Sequence, residues 1–165
     1  MFQVGQNVAY GIHGVCKIIG TELRRVDRKD VEYFILEPVL QPVSCYYIPT
    51  QNPKALAKLR ALISKDELDQ LLSSGAEPEY RWNPDENQRK QQYRDMITNA
   101  GCAELIDVLH VLYHHKQEQL SAGKKFHLCD ENFLRDAERL VAGELAVVLG
   151  MAPGDVPEYL RSNIG

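Results

Sequence analysis

Two histidines, His110 and His114, stand four positions apart in a segment with helical periodicity, and Cys129 follows downstream. A pair at this spacing lies on one helical face and can chelate a single metal ion. The metalloprotease signature needs a glutamate directly after the first histidine, and this chain has Val111 there. Two alternatives stay open: a metal-dependent enzyme, or two ordinary half-exposed helix residues.

A further histidine, His13, stands between Gly11 and Gly14 and could act as a general base. No serine, cysteine or acid pairs with it nearby in the sequence, so a turn histidine bonded to the backbone is the alternative. The chain contains no Gly-x-Gly-x-x-Gly, Walker or Gly-x-Ser-x-Gly motif. We therefore expect no enzymatic activity, no bound metal and no cofactor.

The only tryptophan, Trp82, lies in a polar segment directly before a helix start. A residue in front of an N-cap often packs on the fourth helical residue. With Asn83 as the cap, that fourth residue is Asn87, which is polar. Trp82 therefore either packs against another helix or is exposed for recognition.

Basic residues follow the tryptophan at Arg89, Lys90 and Arg94, and the pair Lys124 and Lys125 stands in a later turn. Lys90 and Arg94 are four apart and share a helix face. Such a cluster is usually only a solvated face. Beside a tryptophan it is also the arrangement with which proteins hold the DNA backbone and press an apolar side chain into the minor groove.

The first half of the chain favours a small β domain. Its β-rich runs are short and recur about every ten residues, which predicts a barrel or a strongly bent sheet. They cover residues 4–10, 15–23, 33–36 and 46–48. Residues 24–30 predict a charged turn. Pro38 and Pro42 bracket a connecting loop, because neither can donate to a ladder.

The second half predicts helices with recognisable start signals. Ser64 and Glu67 form a capping box, and Asn83 followed by Pro84 starts a later helix. Apolar stripes and glycine stops predict helices over about residues 65–75, 84–99, 103–119, 130–149 and 153–164. The polar segment 76–83 contains a proline, and we place the domain boundary there. The fold class is α+β.

Composition restricts the functional classes. The 165 residues are 44% hydrophobic and 25% charged, as in ordinary globular chains. The longest apolar run has five residues, whereas a bilayer span needs about 20. The N-terminus lacks the positively charged start and the apolar core that a secretory signal has. We expect a cytoplasmic location, no membrane contact and four free, buried cysteine thiols.

The charge balance limits how the chain could bind DNA. The formal net charge is −4, and residues 79–165 carry 14 acidic against 10 basic side chains. A protein that coats nucleic acid is strongly basic. Any DNA contact must therefore come from a local patch.

The opening of the chain resembles a known family. The residues Phe2-x-x-Gly5-Gln6-x-Val8-x-Tyr10-x-x-His13-Gly14-Val15 are similar to the start of the CarD/CdnL family of bacterial transcription regulators. The same module resembles the RNA-polymerase-interacting domain of transcription-repair coupling factors. Further similar stretches follow in the same order, at residues 33–36, 48–49, 59–60, 82, 89–94, 120–124 and 137–145.

This resemblance implies a Tudor- or SH3-like bent β-barrel over residues 1–75 that docks on the polymerase β subunit. It also implies a helical domain of about four to five helices over 84–165. That domain would contact promoter DNA, without sequence specificity, at the upstream edge of the melted region and alter open-complex stability. By position, the minor-groove wedge would be Trp82. The phosphate contacts would be Arg89, Lys90, Arg94, Lys124 and Lys125. The polymerase contacts would be Arg24, Ile35, Tyr46 and Tyr47. No small-molecule substrate is expected.

The chain departs from the family pattern in three ways, and the first and third of these weaken the expectation of DNA contact. Asn83-Pro84-Asp85-Glu86 follows the tryptophan where many members carry a basic pair. Tyr47 replaces an arginine often found before the close of the last strand, and the helical half is acidic. The alternative is an adaptor that binds RNA polymerase without touching DNA. A metal-dependent enzyme built on His110 and His114 is a third and more distant alternative.

Overall fold

A computed structural model describes residues 1–164. Its contacts divide the chain into an N-terminal unit, Met1–Leu62, and a helical unit that begins at Ile63. The division thus falls earlier than the segment 76–83 suggested by the sequence, so the first domain does not extend to residue 75. The reason is packing, because Ile63 and Leu68 are buried in the core of the helical unit.

The segment 76–83 is not a free linker between domains. The backbone N–H groups of Glu79 and Tyr80 donate to the carboxylate of Asp107 at 3.2 and 2.8 Å. Tyr80 and Trp82 pack against the helical core. A polar, proline-containing sequence can therefore be held in place by one carboxylate and two aromatic rings, and the composition of the segment does not reveal this.

The N-terminal unit contains one antiparallel sheet with the strand order β4-β3-β2-β1-β5. Its strands are β1 (Asn7–Tyr10), β2 (Val15–Val26), β3 (Lys29–Pro38), β4 (Tyr46–Pro49) and β5 (Leu59–Ala61). The sequence predicts the first four. It misses β5 and the short helix α1 (Pro53–Leu56), because segments of three and four residues carry too little periodicity. β4 and β5 are the two edge strands of this sheet, and they do not pair with each other to close it into a barrel.

Strands β2 and β3 form a long hairpin where the sequence predicts a charged turn over residues 24–30. The pairing continues to Val26 and Lys29. Only Asp27 and Arg28 make the turn, with φ values of 49° and 66°. Positive φ at both central positions suits a two-residue hairpin, because it matches the twist of the strands. The charged residues are tolerated because positions 21–30 are all exposed.

One face of the sheet forms the core of the N-terminal unit. The buried side chains are Val8, Cys16, Ile18, Leu36, Ile48 and Leu59. The register shifts between Ile18 and Gly20. A shift of one residue moves the side chains beyond it to the opposite face of the sheet. Ile19, at this irregularity, is exposed.

Over residues 63–164 the helical unit contains five α-helices, within the predicted number of about four to five. They are α2 (Lys65–Ser73), α3 (Glu86–Asn99), α4 (Cys102–Ser121), α5 (Leu128–Leu149) and α6 (Val156–Ile164). The Ser64–Glu67 capping box is confirmed, with reciprocal hydrogen bonds of 3.1 and 2.9 Å. Helix α3 is capped by Asp85 and not by Asn83. The Asn83 side chain accepts instead from the Asp85 N–H at 2.9 Å.

The predicted apolar stripes of α4 and α5 are confirmed as the centre of the helical core. They are Leu105, Val108, Leu109 and Leu112 on α4, and Leu134, Ala137, Val141 and Leu145 on α5. Val148 is only partly buried. Among residues 1–164, no single helix is both long and apolar enough to cross a bilayer. Only the bent pair Leu128–Leu149 with Pro153–Ile164 reaches that length and composition jointly.

The four cysteines are free thiols. Cys16 and Cys102 are buried as predicted, whereas Cys45 and Cys129 are only half-buried. Burial raises the pKa of the Cys16 thiol to about 11. This thiol therefore stays protonated and unreactive near neutral pH.

Candidate functional site

Three of the predicted polymerase contacts come together on one face of the sheet. Ile35 and Tyr47 are cross-strand partners. They point away from the core because side chains alternate along a strand and their neighbours Leu36 and Ile48 are buried. The Arg24 guanidinium carbon lies 3.8 Å from the centroid of the Tyr47 ring. This distance places a cation directly over an aromatic face.

Tyr33 also belongs to this surface, although it is not among the contacts predicted from the sequence. It stands two residues before Ile35 on β3 and therefore shares its face. Its ring centroid lies 5.9 Å from the Arg24 guanidinium carbon. We call the group Arg24, Tyr33, Ile35 and Tyr47 the Arg24 face. Alternation around Ile35 is the sequence signal that could have identified Tyr33.

Tyr46 does not share the Arg24 face with the other three predicted polymerase contacts, and its own contact with polymerase stays a prediction. It pairs with Leu36 and lies on the core side of the sheet. Its ring centroid is 5.5 Å from that of Tyr10 and 4.3 Å from that of His13. His13 thus packs within an aromatic group at the turn Gly11–His13, which agrees with the turn interpretation of this histidine.

Arg89 is buried, and this corrects its assignment as a phosphate contact. Its side chain is 1% exposed, and its Nε donates to Asp130, which is fully buried, at 3.0 Å. Its other nitrogens donate to the carbonyls of Asn83 and Pro84 and to the Cys129 sulfur. A buried arginine held by this many acceptors cannot reach a DNA backbone while the helical unit is folded.

Asp130 is the centre of a buried polar cluster that sequence reasoning missed. Besides Arg89, it accepts a hydrogen bond from the Tyr93 hydroxyl at 2.5 Å. Burial and this hydrogen bond raise the pKa of Tyr93 far above its ordinary value of 10, so the phenol stays protonated and donating. The partners are 41 and 37 positions away in sequence, and no local pattern could have joined them.

Trp82 packs within the helical unit, as one of the two sequence alternatives proposes. Its indole is half-buried and stacks on His115, with ring centroids 4.2 Å apart and planes 26° from parallel. The Arg89 guanidinium carbon lies 4.4 Å from the indole centroid. With Asp85 as the actual cap, the fourth helical residue is Arg89 and not Asn87, and Trp82 packs on Arg89 and on His115.

Protonation of His115 is expected to destabilise the helical unit. Burial lowers the pKa of His115 below its ordinary value of 6.5, and its Nε2 is buried without an acceptor among residues 1–164. The charged groups that act on it are Asp130, Glu118, Arg89 and His127. Below about pH 6.5 the unfolded chain binds this proton more readily than the folded chain, so the free energy of unfolding falls as pH drops.

Thermal melts followed by Trp82 fluorescence between about pH 7.5 and about pH 5.5 measure this effect. The His115→Gln variant should lose the part of the pH dependence that His115 contributes. Identical pH dependence in the variant and the wild type would show that His115 plays no role in it.

The other predicted DNA contacts are exposed. Lys90 pairs with Glu86 at 3.2 Å, with both side chains about half exposed. Arg94 donates to the Gln91 side chain at 3.3 Å. Lys124 and Lys125 are exposed in the turn that follows α4. These four cations remain available to an anionic partner, and the Lys90 charge is partly offset by Glu86.

Among residues 1–164, no third ligand is placed to join the histidine pair at a metal ion. The rings of His110 and His114 lie 5.0 Å apart, while Cys129 accepts from Arg89. Within the described part of the chain, no group of three or more histidine, cysteine, aspartate or glutamate side chains is arranged to hold a metal ion. This geometry gives no support to the metalloenzyme alternative.

The N-terminal unit matches the model of a known protein family. The family model described as the CarD-like/TRCF RID domain matches residues 2–63. The match covers the five-stranded sheet and the Arg24 face, and it ends where the contacts separate the N-terminal unit from the helical unit.

Proposed function

Residues 2–63 are a CarD-like RNA-polymerase-interacting domain, and from this premise we propose that the chain is a transcription regulator. It binds the β subunit of RNA polymerase through the N-terminal unit. It contacts promoter DNA at the upstream edge of the bubble through the helical unit, and so alters open-complex stability. The domain that matches is a polymerase-interacting domain, which is consistent with a regulator that catalyses no reaction.

The docking proposal rests mainly on the Arg24 face, which lies beside an edge strand. β4 is at the end of the sheet, and an edge strand presents unpaired backbone donors and acceptors that a partner strand can pair with. Tyr47 is on this edge strand, beside Ile35, and Arg24 lies over its ring. Aromatic residues and arginine are the types that contribute most at protein interfaces.

DNA contact is supported by the exposed cations of the helical unit, which are Lys90, Arg94, Lys124 and Lys125. Trp82 keeps part of its ring accessible. Its Nε1 is buried without an acceptor among residues 1–164, so a movement of the indole into a widened minor groove would break no hydrogen bond at that atom. Phosphate contacts give position but no sequence specificity.

The proposed mechanism is thermodynamic. A protein that binds the open complex more tightly than the closed complex shifts the equilibrium by the difference in its two affinities. A difference of about 1.4 kcal/mol changes the population ratio about tenfold. A few phosphate contacts made only to the opened DNA would be sufficient for such a difference.

A specific observation favours the adaptor alternative. Arg89 forms a buried ion pair with Asp130, and His115 and Arg89 cover part of the Trp82 indole. Two of the six predicted DNA contacts are thus engaged inside the fold. The adaptor would bind polymerase equally well and leave the DNA untouched.

The lifetime of a promoter open complex tests the proposal against the adaptor. We expect the full chain to change the lifetime several-fold, and the Lys124→Gln/Lys125→Gln double variant to lose most of the change. Binding to DNA with an upstream fork should also weaken steeply with salt, because each neutralised phosphate releases counterions. An unchanged lifetime together with retained polymerase binding would establish the adaptor instead.

A further inference from the structure

A cavity of about 510 Å³ lies between α4, α5 and the last turn of α6. Its lining is rich in groups that carry or can gain positive charge. They are His110, His114 and Lys116 on α4, Arg135 on α5 and Arg161 on α6. This concentration of basic groups is unusual in a chain whose net charge is −4, and neither polymerase docking nor the predicted DNA contacts use it.

The acidic groups of the cavity are already engaged. Glu131 accepts from Lys116, at 3.1 Å between Oε2 and Nζ. Glu138 accepts from the Tyr113 hydroxyl at 2.6 Å. Both contacts join α4 to α5 and hold the walls of the cavity together. The Glu131 contact pairs with Lys116, whereas the neutral Tyr113 hydroxyl leaves the Glu138 carboxylate without a counterion of its own among residues 1–164. The three cations Lys116, Arg135 and Arg161 thus face two carboxylates in this cavity.

The two arginines of the cavity are exposed. Among residues 1–164, the only interaction seen for Arg135 or Arg161 is the electrostatic effect of Arg161 on the Tyr113 phenol. A guanidinium carries five donors in a planar fork that matches the oxygens of a phosphate group. Two exposed guanidinium groups and two imidazoles that line one cavity make a set of donors suited to a multiply charged oxyanion.

We propose that this cavity binds a small molecule that carries a phosphate group. The cavity volume is in the range of small-molecule sites, about 300–1,000 Å³. The buried side chain of Leu134 and the half-buried side chain of Ile164 add an apolar surface beside the cations. The ligand is therefore a phosphate ester with an apolar part. A phosphate of the DNA backbone is the other source of the same chemistry, and the proposal does not depend on polymerase binding.

Titration calorimetry of the full chain with phenyl phosphate tests this site. We expect saturable binding, weakened about tenfold or more by Arg135→Gln/Arg161→Gln, because each change removes a charge-assisted contact. The matched control is Arg25→Gln/Lys65→Gln, which removes the same charge from two exposed positions outside the cavity. The control should bind like the wild type. All three proteins should melt alike, since the four side chains are exposed.

Two further probes identify the class of ligand. Benzoate has the same ring with a single carboxylate, and it should bind more weakly than phenyl phosphate. Equal binding of benzoate would overturn the phosphate assignment. Absence of saturable heat with phenyl phosphate, or equal loss of binding in the control, would overturn the site. Weakening of duplex DNA binding alone by Arg135→Gln/Arg161→Gln would assign these arginines to the DNA backbone and overturn the small-molecule proposal.

Discussion

Replacement of Asp130 by alanine should lower the free energy of unfolding of the helical unit by about 3–5 kcal/mol. Asp130 is fully buried and accepts from Arg89 and from the Tyr93 hydroxyl. Its removal leaves the Arg89 charge buried without a counterion. The cost of that uncompensated charge exceeds the worth of the lost contacts themselves, because a charge in a low-dielectric interior is strongly destabilised.

Urea unfolding followed by Trp82 fluorescence measures this loss, since the only tryptophan is in the helical unit. The control is Asp136→Ala, which removes an exposed carboxylate from the same helix and should change stability by less than about 0.5 kcal/mol. Asp130→Asn should be intermediate, because the amide still accepts from Tyr93 without the charge. Equal stability of Asp130→Ala and Asp136→Ala would mean that the buried pair does not stabilise the fold.

The second large effect is expected for Trp82→Ala. Truncation of a packed aromatic side chain costs about 3–5 kcal/mol when it is fully buried. Trp82 is half-buried. We therefore expect the free energy of unfolding to fall by about 3 kcal/mol, at the lower end of this range. The stacking on His115 and the contact with Arg89 disappear together. For a unit of this size the melting temperature should fall by about 10 °C or more.

The conservative variant Trp82→Phe separates packing from a role in DNA binding. A phenyl ring retains much of the stacking on His115, so most of the stability should return. If Trp82 also enters the minor groove, Trp82→Phe should shorten the open-complex lifetime while it melts close to the wild type. Stability of Trp82→Ala equal to that of the wild type would exclude the packing role.

Local patterns predict the elements of this fold well. The stripe of leucines on α4 and the capping box before α2 are visible in the sequence, because helical periodicity and capping act over three or four residues. The Arg24 face is partly visible too, since alternation along β3 and β4 fixes which residues share a surface. The turn at Asp27 and Arg28 is missed, because charged residues in an exposed hairpin resemble a loop in composition.

The buried cluster around Asp130 could not be predicted. Arg89 has the composition and spacing of a surface cation, and its burial depends on a carboxylate 41 positions later in the chain. Trp82 likewise takes its stacking partner His115 from helix α4. The domain boundary is misplaced for a related reason, since Asp107 holds the backbone of Glu79 and Tyr80 from 28 and 27 positions away. Long-range polar contacts leave no periodic signal.

The most direct test of the central claim is the affinity of the full chain for RNA polymerase after a charge reversal on the Arg24 face. Arg24→Glu should weaken binding at least about tenfold. Its cost in folding stability should stay within about 1 kcal/mol, because the ion pair that it breaks, with Glu22 at 3.1 Å, is exposed. Arg25→Glu makes the same change on the opposite face of β2 and should bind like the wild type. Equal weakening by both variants, or by neither, would contradict docking through the Arg24 face.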